Sequence, residues 1–341
     1  MTLSIVILNW NGADMMRRYL PSVIRCSQHD GVEVVVADNG STDQSLTMLR
    51  QEFPQVRVIA LDQNYGFAEG YNRALRQVEA DCYMLLNSDV EIRQADWLTP
   101  IINYMDAHPE VCACQPKLLK LYDSDTPAAD TPSDLFEYAG AAGGYIDRFG
   151  YPFCRGRIFD TVEHDHGQYD DIVPLHWATG AALVVRSADY WAVGGLDGTF
   201  FAHMEEIDLC WRMRRRGGTI VCIPQSTAYH LGGATLSQGN PRKTFLNFRN
   251  NLLMLHKNLP QRRLLPVLLV RHLLDTVAAL RFLLTGDTAN AAAVVRATRE
   301  YYRIRRHYPR PSVTTPDTLC PCSILWQYYV RGRKHYSELK Q

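Results

Sequence analysis

The stretch YMLLNSDVE, residues 83–91, changes from apolar to polar after Leu86. Its apolar half is typical of a strand that is buried on both faces of a parallel sheet. Asn87, Ser88 and Asp89 would follow the carboxyl end of that strand, where open α/β sheets bind their ligands. Asn87 and Asp89 are separated by one residue, so on an extended backbone both point the same way and can share one divalent cation. The alternative is an Asx turn that only ends the strand.

Earlier in the chain, three shorter apolar runs predict three more strands, at residues 3–8, 32–37 and 56–61. Helical stretches alternate with them, for example at residues 14–26 and 67–78. Strands that alternate with helices predict right-handed βαβ units and an α/β fold, with a mostly parallel central sheet and flanking helices. The loops after the strands are then expected to meet along one edge of the sheet.

Those loops are rich in polar and glycine residues. Six positions stand out after the first three strands: Asn9, Asn11, Asp38, Asn64, Gly66 and Gly70. Any one loop is explained by turn chemistry alone, but four polar loops at one edge predict a ligand site. Asp38 could accept a hydrogen bond from the N–H of a pyrimidine ring, and the two glycines would allow a helix to begin close to a ligand.

Four stretches resemble, in order, the motifs of inverting family 2 glycosyltransferases with the GT-A fold. They are SIVILNWN (residues 4–11), DNGSTD (38–43), NYGFAEGYN (64–72) and LLNSDV (85–90). The chain most resembles the bacterial rhamnosyltransferase-type members that build cell-surface polysaccharides, and the resemblance extends to about residue 230. It implies a Rossmann-like GT-A catalytic domain over residues 1–240, in which the six positions above bind the donor together with Asn72, Asn87 and Ser88.

The resemblance also implies a divalent cation, Mg²⁺ or Mn²⁺. Many members of the family carry aspartate at the first position of the D-x-D metal motif, and Asn87 stands there in this chain. Because an amide carbonyl is a weaker ligand than a carboxylate, we expect Asp89 to contribute most of the direct coordination. His230 stands where a histidine of the family completes the metal shell, and a nitrogen ligand would favour Mn²⁺ slightly. The alternative is a strand-end histidine that is only hydrogen-bonded.

A later acidic stretch, EEIDLCWR at residues 205–212, is expected to supply the catalytic base. The second acid of this motif is the base in the family, which implies Glu206, with Glu205 as the neighbouring candidate. A carboxylate is needed because an acceptor hydroxyl must lose its proton as it attacks the donor sugar. The residues implied on the acceptor side are Trp177, Thr179, Gly180, Asp208 and Arg212. For the last two, an i,i+4 ion pair near a helix N-terminus is an equal alternative.

Between these motifs, residues 121–171 are rich in Asp, Gly, Pro and Tyr and show no sustained period. A segment of this length is more than an ordinary connection between elements. We therefore expect an acceptor-side insertion or a mobile loop here, rather than a part of the core.

Residues 241–341 are expected to form a helical and basic extension. From Arg242 onward the chain has 18 Lys and Arg against 5 Asp and Glu. Helices are predicted at residues 247–258, 264–284 and 289–306. Either these helices pack on the catalytic domain, or they lie on an anionic membrane surface.

The second of these helices combines a long apolar run with a few charges. Arg271, His272, Asp275 and Arg281 fall on one half of its helical wheel, and apolar residues on the other. Charges within such a run argue against a transmembrane span. The nine cysteines follow no disulfide spacing and no apolar leader precedes the first strand, which predicts a cytoplasmic protein, peripheral at most on the inner face of the cell membrane.

These patterns together predict a metal-dependent inverting glycosyltransferase. Its donor would be a UDP- or dTDP-sugar, and its acceptor a hydroxyl of a glycan or polyprenyl-linked saccharide. One alternative is a catalytically silent nucleotide-sugar-binding protein or scaffold. Another is a sugar-nucleotide pyrophosphorylase, which needs a Gly-rich phosphate loop after the first strand, and the sequence NWNG at residues 9–12 does not supply one. No nucleic-acid partner is expected, because the basic extension lacks a recognition module.

Overall fold

The computed structural model of the protein describes residues 1–122, 133–232, 239–308 and 319–339. The strands in these ranges are β1 (Leu3–Asn9), β2 (Val32–Asn39), β3 (Arg57–Leu61), β4 (Cys82–Leu86), β5 (Val90–Glu91), β6 (Val111–Lys120), β7 (Gly144–Ile146), β8 (Pro152–Cys154), β9 (Arg157–Ile158), β10 (Thr161–Val162), β11 (Ala182–Arg186) and β12 (Thr219–His230). The α-helices are α1 (Ala13–Cys26), α2 (Ser45–Glu52), α3 (Gly66–Leu75), α4 (Leu98–Ala107), α5 (Ser187–Ala192), α6 (Glu205–Arg215), α7 (Pro241–Asn258), α8 (Gln261–Leu284) and α9 (Thr288–Ile304).

A central eight-stranded sheet organises the described residues, in the order β3-β2-β1-β4-β11-β6-β12-β5. The first four strands of the chain run parallel, and β11 lies antiparallel between β4 and β6. β12 runs parallel to β6, so its carboxyl end reaches the same edge of the sheet as that of β4. The predicted α/β fold with a mostly parallel central sheet is confirmed.

Both faces of this sheet are buried, as the apolar runs predict. In β1, Val6 packs into the hydrophobic core on one face, whereas Ile5 and Ile7 pack into the core on the other. In β4, Leu85 and Leu86 divide between the two cores in the same way. This alternation follows from the two-residue period of a strand, and it fixes the register that brings the polar strand ends together.

The end of the sheet near β12 differs in detail from the prediction. In the sequence, short runs at residues 221–223 and 228–230 predict two separate closing strands. The structure has the single strand β12 instead. Its register against β6 shifts between Ile223 and Thr227. This irregularity interrupts the sequence pattern without ending the strand. β12 then pairs antiparallel with the short strand β5, which places His230 opposite Val90 and so next to Asp89.

The segment at residues 121–171 is packed where the structure describes it, and the expectation that it lies outside the core is wrong there. A four-stranded antiparallel sheet forms in the order β10-β9-β8-β7. Phe136, Ile146 and Cys154 from this segment are buried in the same core as β11. The strands have only two or three residues each, too few to give a detectable sequence period. The first part of the expected insertion, residues 123–132, lies outside the described residues.

The C-terminal helices pack on the preceding part of the chain through α7, which contacts α6 and α9. The longest of them, α8, is oriented with its charges inward: Arg271 and Asp275 are buried, whereas several of its leucines are exposed. Within the described ranges, no helix is both long enough and apolar enough to cross a bilayer.

Candidate active site

Side-chain hydrogen bonds join the ends of β1 and β2. Asn9 Nδ2 donates to Asp38 Oδ2 (3.0 Å), and the backbone N–H of Ser41 donates to Asp38 Oδ1 (2.9 Å). Asn9 and Asp38 are both fully buried. Asp38 therefore already uses both carboxylate oxygens within the protein, and Asn9 Oδ1 is a buried acceptor without a partner among the described residues.

Asn11 connects the loop after β1 to the loop after β2. It adopts a positive φ of 52°. Its Oδ1 accepts hydrogen bonds from the backbone N–H groups of Thr42 (2.7 Å) and Asp43 (3.3 Å), and its own N–H donates to Ser41 Oγ (2.9 Å). Asparagine suits both demands, because it tolerates the left-handed region and carries a short acceptor. The residues of the first two loops that are predicted to bind the nucleotide-sugar donor thus form one connected network of hydrogen bonds.

The glycines at the start of α3 make room for protein groups. A Cβ on Gly66, whose φ is +76°, would lie 2.5 Å from the ring of Phe201, and one on Gly70 would lie 3.0 Å from the amide nitrogen of Asn39. The N–H of Phe67 donates to the carbonyl oxygen of Phe201 (2.7 Å). The close neighbours of these glycines within the protein are Phe201 and Asn39. That the glycines also bring the helix close to a ligand stays a prediction.

Two more residues that are predicted to bind the nucleotide-sugar donor, Asn64 and Asn72, also make hydrogen bonds within the protein. Asn64 Oδ1 accepts from the N–H of Gly66 (2.8 Å) and so shapes the turn into α3. Asn72 Nδ2 donates to the carbonyl oxygen of Leu196 (2.7 Å), while its Oδ1 accepts from the hydroxyl of Tyr190 (2.7 Å). Asn72 thereby stabilises the turn at Leu196, which precedes α6, through contacts within the protein.

Asp89 and His230 meet at the carboxyl edge of the sheet, although they are 141 residues apart in sequence: His230 Nε2 lies 3.1 Å from Asp89 Oδ1. The Nδ1 atom of the same ring lies 3.2 Å from Glu137 Oε1. The side chains of Asp89, His230 and Glu137 are all buried. Asn87 and Ser88 are partly exposed. The side-chain amide nitrogen of Asn87 lies 3.3 Å from His230 Nε2.

The pKa values of Asp89 and His230 are both shifted by the charges beside them. Burial alone would raise the pKa of Asp89, but the adjacent His230 outweighs it and holds that pKa below its usual value. Burial alone would lower the pKa of His230, but Asp89 and Glu137 on its two sides hold it well above the ordinary value. In the absence of another cation, this pocket therefore holds a positive charge on the imidazole, between two carboxylates.

The same atoms fit a divalent cation. Two adjacent ligands at about 2.1 Å from an octahedral ion are about 3.0 Å apart, and the Asp89–His230 separation is 3.1 Å. A carboxylate with an imidazole suits Mn²⁺ better than Mg²⁺, because Mg²⁺ prefers oxygen ligands. A carboxylate on the far ring nitrogen, here Glu137, is the usual partner that orients a metal-binding histidine. Within the ranges that the structure describes, no group of three or more His, Cys, Asp or Glu side chains is arranged to hold a metal. Phosphate and water would therefore have to complete the shell.

The acidic pair lies in the first turn of α6. Glu205 is buried and Glu206 is partly exposed, and the Oε2 atom of each is buried without a hydrogen-bond partner in the part described. Burial raises the pKa of Glu206 to about 7. Burial, with repulsion from Glu206, raises the pKa of Glu205 well above its ordinary value. Glu206 therefore combines access from outside with a basicity suited to proton abstraction near neutral pH.

A strained loop presents this pair. Phe201, His203 and Met204 adopt φ values of 64°, 70° and 72° immediately before α6. Left-handed backbone costs about 1–3 kcal/mol per non-glycine residue and persists only where the surroundings impose it. Here Asn250 of α7 imposes it, because its Nδ2 lies within hydrogen-bonding distance of the carbonyl oxygens of Phe200 (3.0 Å), Ala202 (2.9 Å) and His203 (2.8 Å).

Asp208 and Arg212 form a structural network between α6 and α7. The buried Asp208 accepts hydrogen bonds from Arg212 Nε (2.8 Å), Lys257 Nζ (2.7 Å) and Asn258 Nδ2 (2.8 Å). The two terminal nitrogens of Arg212 donate to the carbonyl oxygens of Val193 and Gly195. These contacts match the alternative in which Asp208 and Arg212 form an i,i+4 ion pair near a helix N-terminus. The place of the two residues on the acceptor side stays a prediction.

The other predicted acceptor-side residues divide into two kinds. Trp177 and Thr179 are buried: Trp177 Nε1 donates to the carbonyl oxygen of Tyr145 (3.0 Å), and the N–H of Thr179 donates to Gln115 Oε1 (2.9 Å). Gly180 is different, since a Cβ there would lie 3.6 Å from the Cβ of Glu206. Of the three, Gly180 is thus the residue that borders the acidic pair.

Sequence reasoning missed Glu137 and Asn250. Glu137 lies in the segment that was expected to be an insertion or mobile loop, and Asn250 lies in a helix that was assigned to the extension. Neither belongs to one of the motifs quoted above. The available signal was the polar run RNN at residues 249–251, directly before the apolar run LLML at residues 252–255, because polar residues that are buried with such a run need partners.

Residues 4–164 match the family model of glycosyl transferase family 2. The chain contains a family 2 glycosyltransferase domain. Its curated relatives include rhamnosyltransferases, as the resemblance implied. One is the N-acetylglucosaminyl-diphospho-decaprenol L-rhamnosyltransferase of Mycobacterium tuberculosis, 25% identical over 239 residues, which cover 67% of this chain and 75% of the relative. Another is the rhamnosyltransferase WbbL of Escherichia coli K12, 25% identical over 235 residues, which cover 66% and 82%.

Solved structures place this glycosyltransferase in the GT-A fold. TarS 1–349 of S. aureus, in complex with UDP-GlcNAc, superposes with a TM-score of 0.57 at 15% identity, covering 89% of this chain and 81% of that one. The mannosyltransferase PcManGT of Pyrobaculum calidifontis, in complex with GDP-Man and Mn²⁺, gives 0.52 at 14% identity, covering 88% and 86%. At these identities the likeness establishes the fold alone, and it confirms the predicted fold. The predicted enzyme class is confirmed by the family match and the rhamnosyltransferase relatives.

Proposed function

We propose that this glycosyltransferase is a metal-dependent inverting enzyme that transfers a sugar from a nucleoside-diphosphate sugar to a hydroxyl of a glycan or lipid-linked saccharide, in cell-surface polysaccharide biosynthesis. The observation that carries the proposal is the meeting of Asp89 and His230, 3.1 Å apart at the ligand-binding edge of the sheet. A divalent cation bound there would stabilise the negative charge of the departing diphosphate.

The chain's own residues would supply the remaining steps. Glu206 would take the proton of the acceptor hydroxyl as that oxygen forms its bond to the anomeric carbon of the donor. The bond from the same carbon to the diphosphate breaks, and its electron pair leaves with the diphosphate. One displacement of this kind inverts the anomeric configuration. Gly180 would leave space for the acceptor beside Glu206, because any side chain there would contact the base.

The donor and acceptor classes are part of the proposal. A UDP- or dTDP-sugar is the donor we propose, with its base near the network of Asn9, Asn11 and Asp38. TarS 1–349 was solved with UDP-GlcNAc, and a curated relative carries a diphospho-decaprenol acceptor in its name. With a polyprenyl-linked acceptor, sugar transfer would take place at the cytoplasmic face of the cell membrane. We also propose a division of labour between a catalytic domain over residues 1–240 and a helical extension over residues 241–341.

Calorimetry of nucleotide binding tests the metal site. UDP and dTDP are titrated into the protein with Mn²⁺ and then with EDTA. We expect at least one nucleotide to bind at least about tenfold more tightly with Mn²⁺, and Asp89→Ala to abolish this difference. Asp14→Ala is the matched control, because Asp14 is 99% exposed. Equal affinity of the native protein with Mn²⁺ and with EDTA would refute the proposed site.

A further inference from the structure

Helix α8 carries an exposed apolar stripe on the side that faces away from the protein. We define the stripe as Leu265, Leu269, Leu273, Val277, Leu280, Leu283 and Leu284. These side chains are between 51% and 89% exposed. Their spacing of three and four residues places them on one face of the helix, over a length of about 29 Å. An apolar surface of this length on a folded protein is typical of a site that contacts another apolar body.

The opposite face of α8 explains why the stripe points outward. Arg271 and Asp275 are each 3% exposed, and Arg271 NH2 lies 3.4 Å from Asp275 Oδ1. The guanidinium carbon of Arg271 lies 3.8 Å from the centre of the Tyr151 ring. Turning the helix over would bury the leucines but would also break this inner contact. The helix is therefore held with Arg271 and Asp275 inside, beside the buried Leu264 and Leu268, and with the leucines of the stripe outside.

The exposed formal charges on α8 are all positive, whereas α9 also carries Glu300, which pairs with Arg303. Arg262 and Arg281 are exposed near the two ends of the stripe, and Asp275, the acidic residue of α8, is buried. The next helix, α9, adds a row of exposed arginines at Arg296, Arg299 and Arg303. Arginine can extend its charge to lipid phosphates while its stem stays in the apolar boundary. A second copy of the chain on the same stripe would instead bring these arginines together.

We propose that the stripe is a membrane-binding surface, on which α8 lies in the plane of a bilayer that contains anionic lipids. The leucines would enter the boundary between head groups and acyl chains, and Arg262 and Arg281 would contact the phosphates. This surface adds to the proposed transfer reaction and does not depend on it. It would hold the enzyme where a lipid-linked acceptor is found.

Flotation with liposomes tests this proposal. The full-length protein is mixed with vesicles of phosphatidylcholine alone, or with 30 mol% phosphatidylglycerol, at low and at high salt. We expect binding to the anionic vesicles that weakens as salt is raised. The double variant Leu269→Glu/Leu273→Glu should reduce binding at least about tenfold, because two charges would enter the apolar boundary. Arg262→Gln/Arg281→Gln should reduce binding to anionic vesicles about tenfold.

Gln51→Glu/Gln55→Glu is the matched control, because it adds the same two charges at exposed positions that are distant from α8 in the sequence. It should bind vesicles like the native protein. Circular dichroism and Mn²⁺-dependent nucleotide binding report whether each variant is folded, so a failure here is separate from a failure of the proposed reaction. Equal binding to neutral vesicles, or full binding by the leucine variant, would overturn the proposal. So would light scattering that shows a dimer which the leucine variant dissociates.

Discussion

Glu205 and Glu206 are neighbours in sequence but differ in what their surroundings allow. Both pKa values are raised by burial, and that of Glu206 is raised to about 7. Glu206 is also the more exposed of the two, which favours it as the residue that an acceptor hydroxyl would approach. Burial and repulsion from Glu206 raise the pKa of Glu205 well above its ordinary value, which favours the protonated form of that carboxyl. We therefore propose different roles for the two residues, although both side chains are carboxyl groups.

The pH dependence of transfer follows from the pKa of Glu206. Below pH 7 the carboxyl is mostly protonated and cannot accept a proton, and above pH 7 it is ionised. We therefore expect kcat/KM to rise tenfold per pH unit below about 7 and to level off above it. The measurement is initial transfer rates between pH 5 and 9, with nucleotide affinity followed in parallel. A rate that falls as pH rises through 7 would contradict the assignment of a general base here.

At the scale of single residues, the sequence could propose only those site residues that belong to local motifs. Asp89 could be predicted because it ends a buried strand, and Glu206 because it lies in a short acidic motif. Glu137 could not be predicted, because its contact with His230 depends on how a weakly patterned segment folds back over the sheet. The contacts of Gly66 with Phe201 were hidden for the same reason. A glycine motif predicts a close approach but does not tell which group approaches.

The elements that matter most for the site are α7 and the strained loop before α6. Asn250 donates to carbonyl oxygens of that loop, and it is fully buried. Asn250→Ala should destabilise the fold by about 1–3 kcal/mol, because buried carbonyl groups lose their donor. It should also lower kcat at least about tenfold, because the loop that positions Glu206 relaxes. Nucleotide affinity should change little, because diphosphate is proposed to bind on the Asp89 side.

Asn251→Ala is the control for this prediction. Asn251 is also buried, but it donates to the carbonyl oxygen of Gly150, away from the loop. It should lower stability and leave kcat nearly unchanged in chemical denaturation and steady-state assays. If both variants lower kcat equally, the effect comes from stability alone and Asn250 has no positioning role.

Element by element, long periodic segments were predictable and short ones were not. Helix α1 begins within one residue of its predicted start, at Ala13, because its apolar period is clear. The strands β7 to β10 have two or three residues each and carry no such period. For α8, the helical wheel separated charged from apolar residues but could not tell which half faces the protein. That choice depends on tertiary partners such as Tyr151.

For the whole molecule, the order of strands and polar loops was sufficient to predict the fold. The parallel strands bring several loops to one edge whatever their exact boundaries, and so a sheet of this type defines a place for a ligand. The arrangement of the C-terminal helices was less predictable, since α7 contributes buried side chains to the site itself. The extension is therefore expected to be needed for activity as well as for location.

The central claim is that Glu206 is the base of a transfer whose diphosphate leaves from the Asp89 side. The direct measurement compares the native protein with Glu206→Gln and Glu205→Gln, using a panel of UDP- and dTDP-sugars and a polyprenyl-diphosphate-linked saccharide. Glutamine keeps the size and removes the basicity. We predict that Glu206→Gln lowers kcat by roughly two to four orders of magnitude with nearly unchanged nucleotide affinity, and that Glu205→Gln is milder. Full activity of Glu206→Gln, with or without loss in Glu205→Gln, would contradict the account.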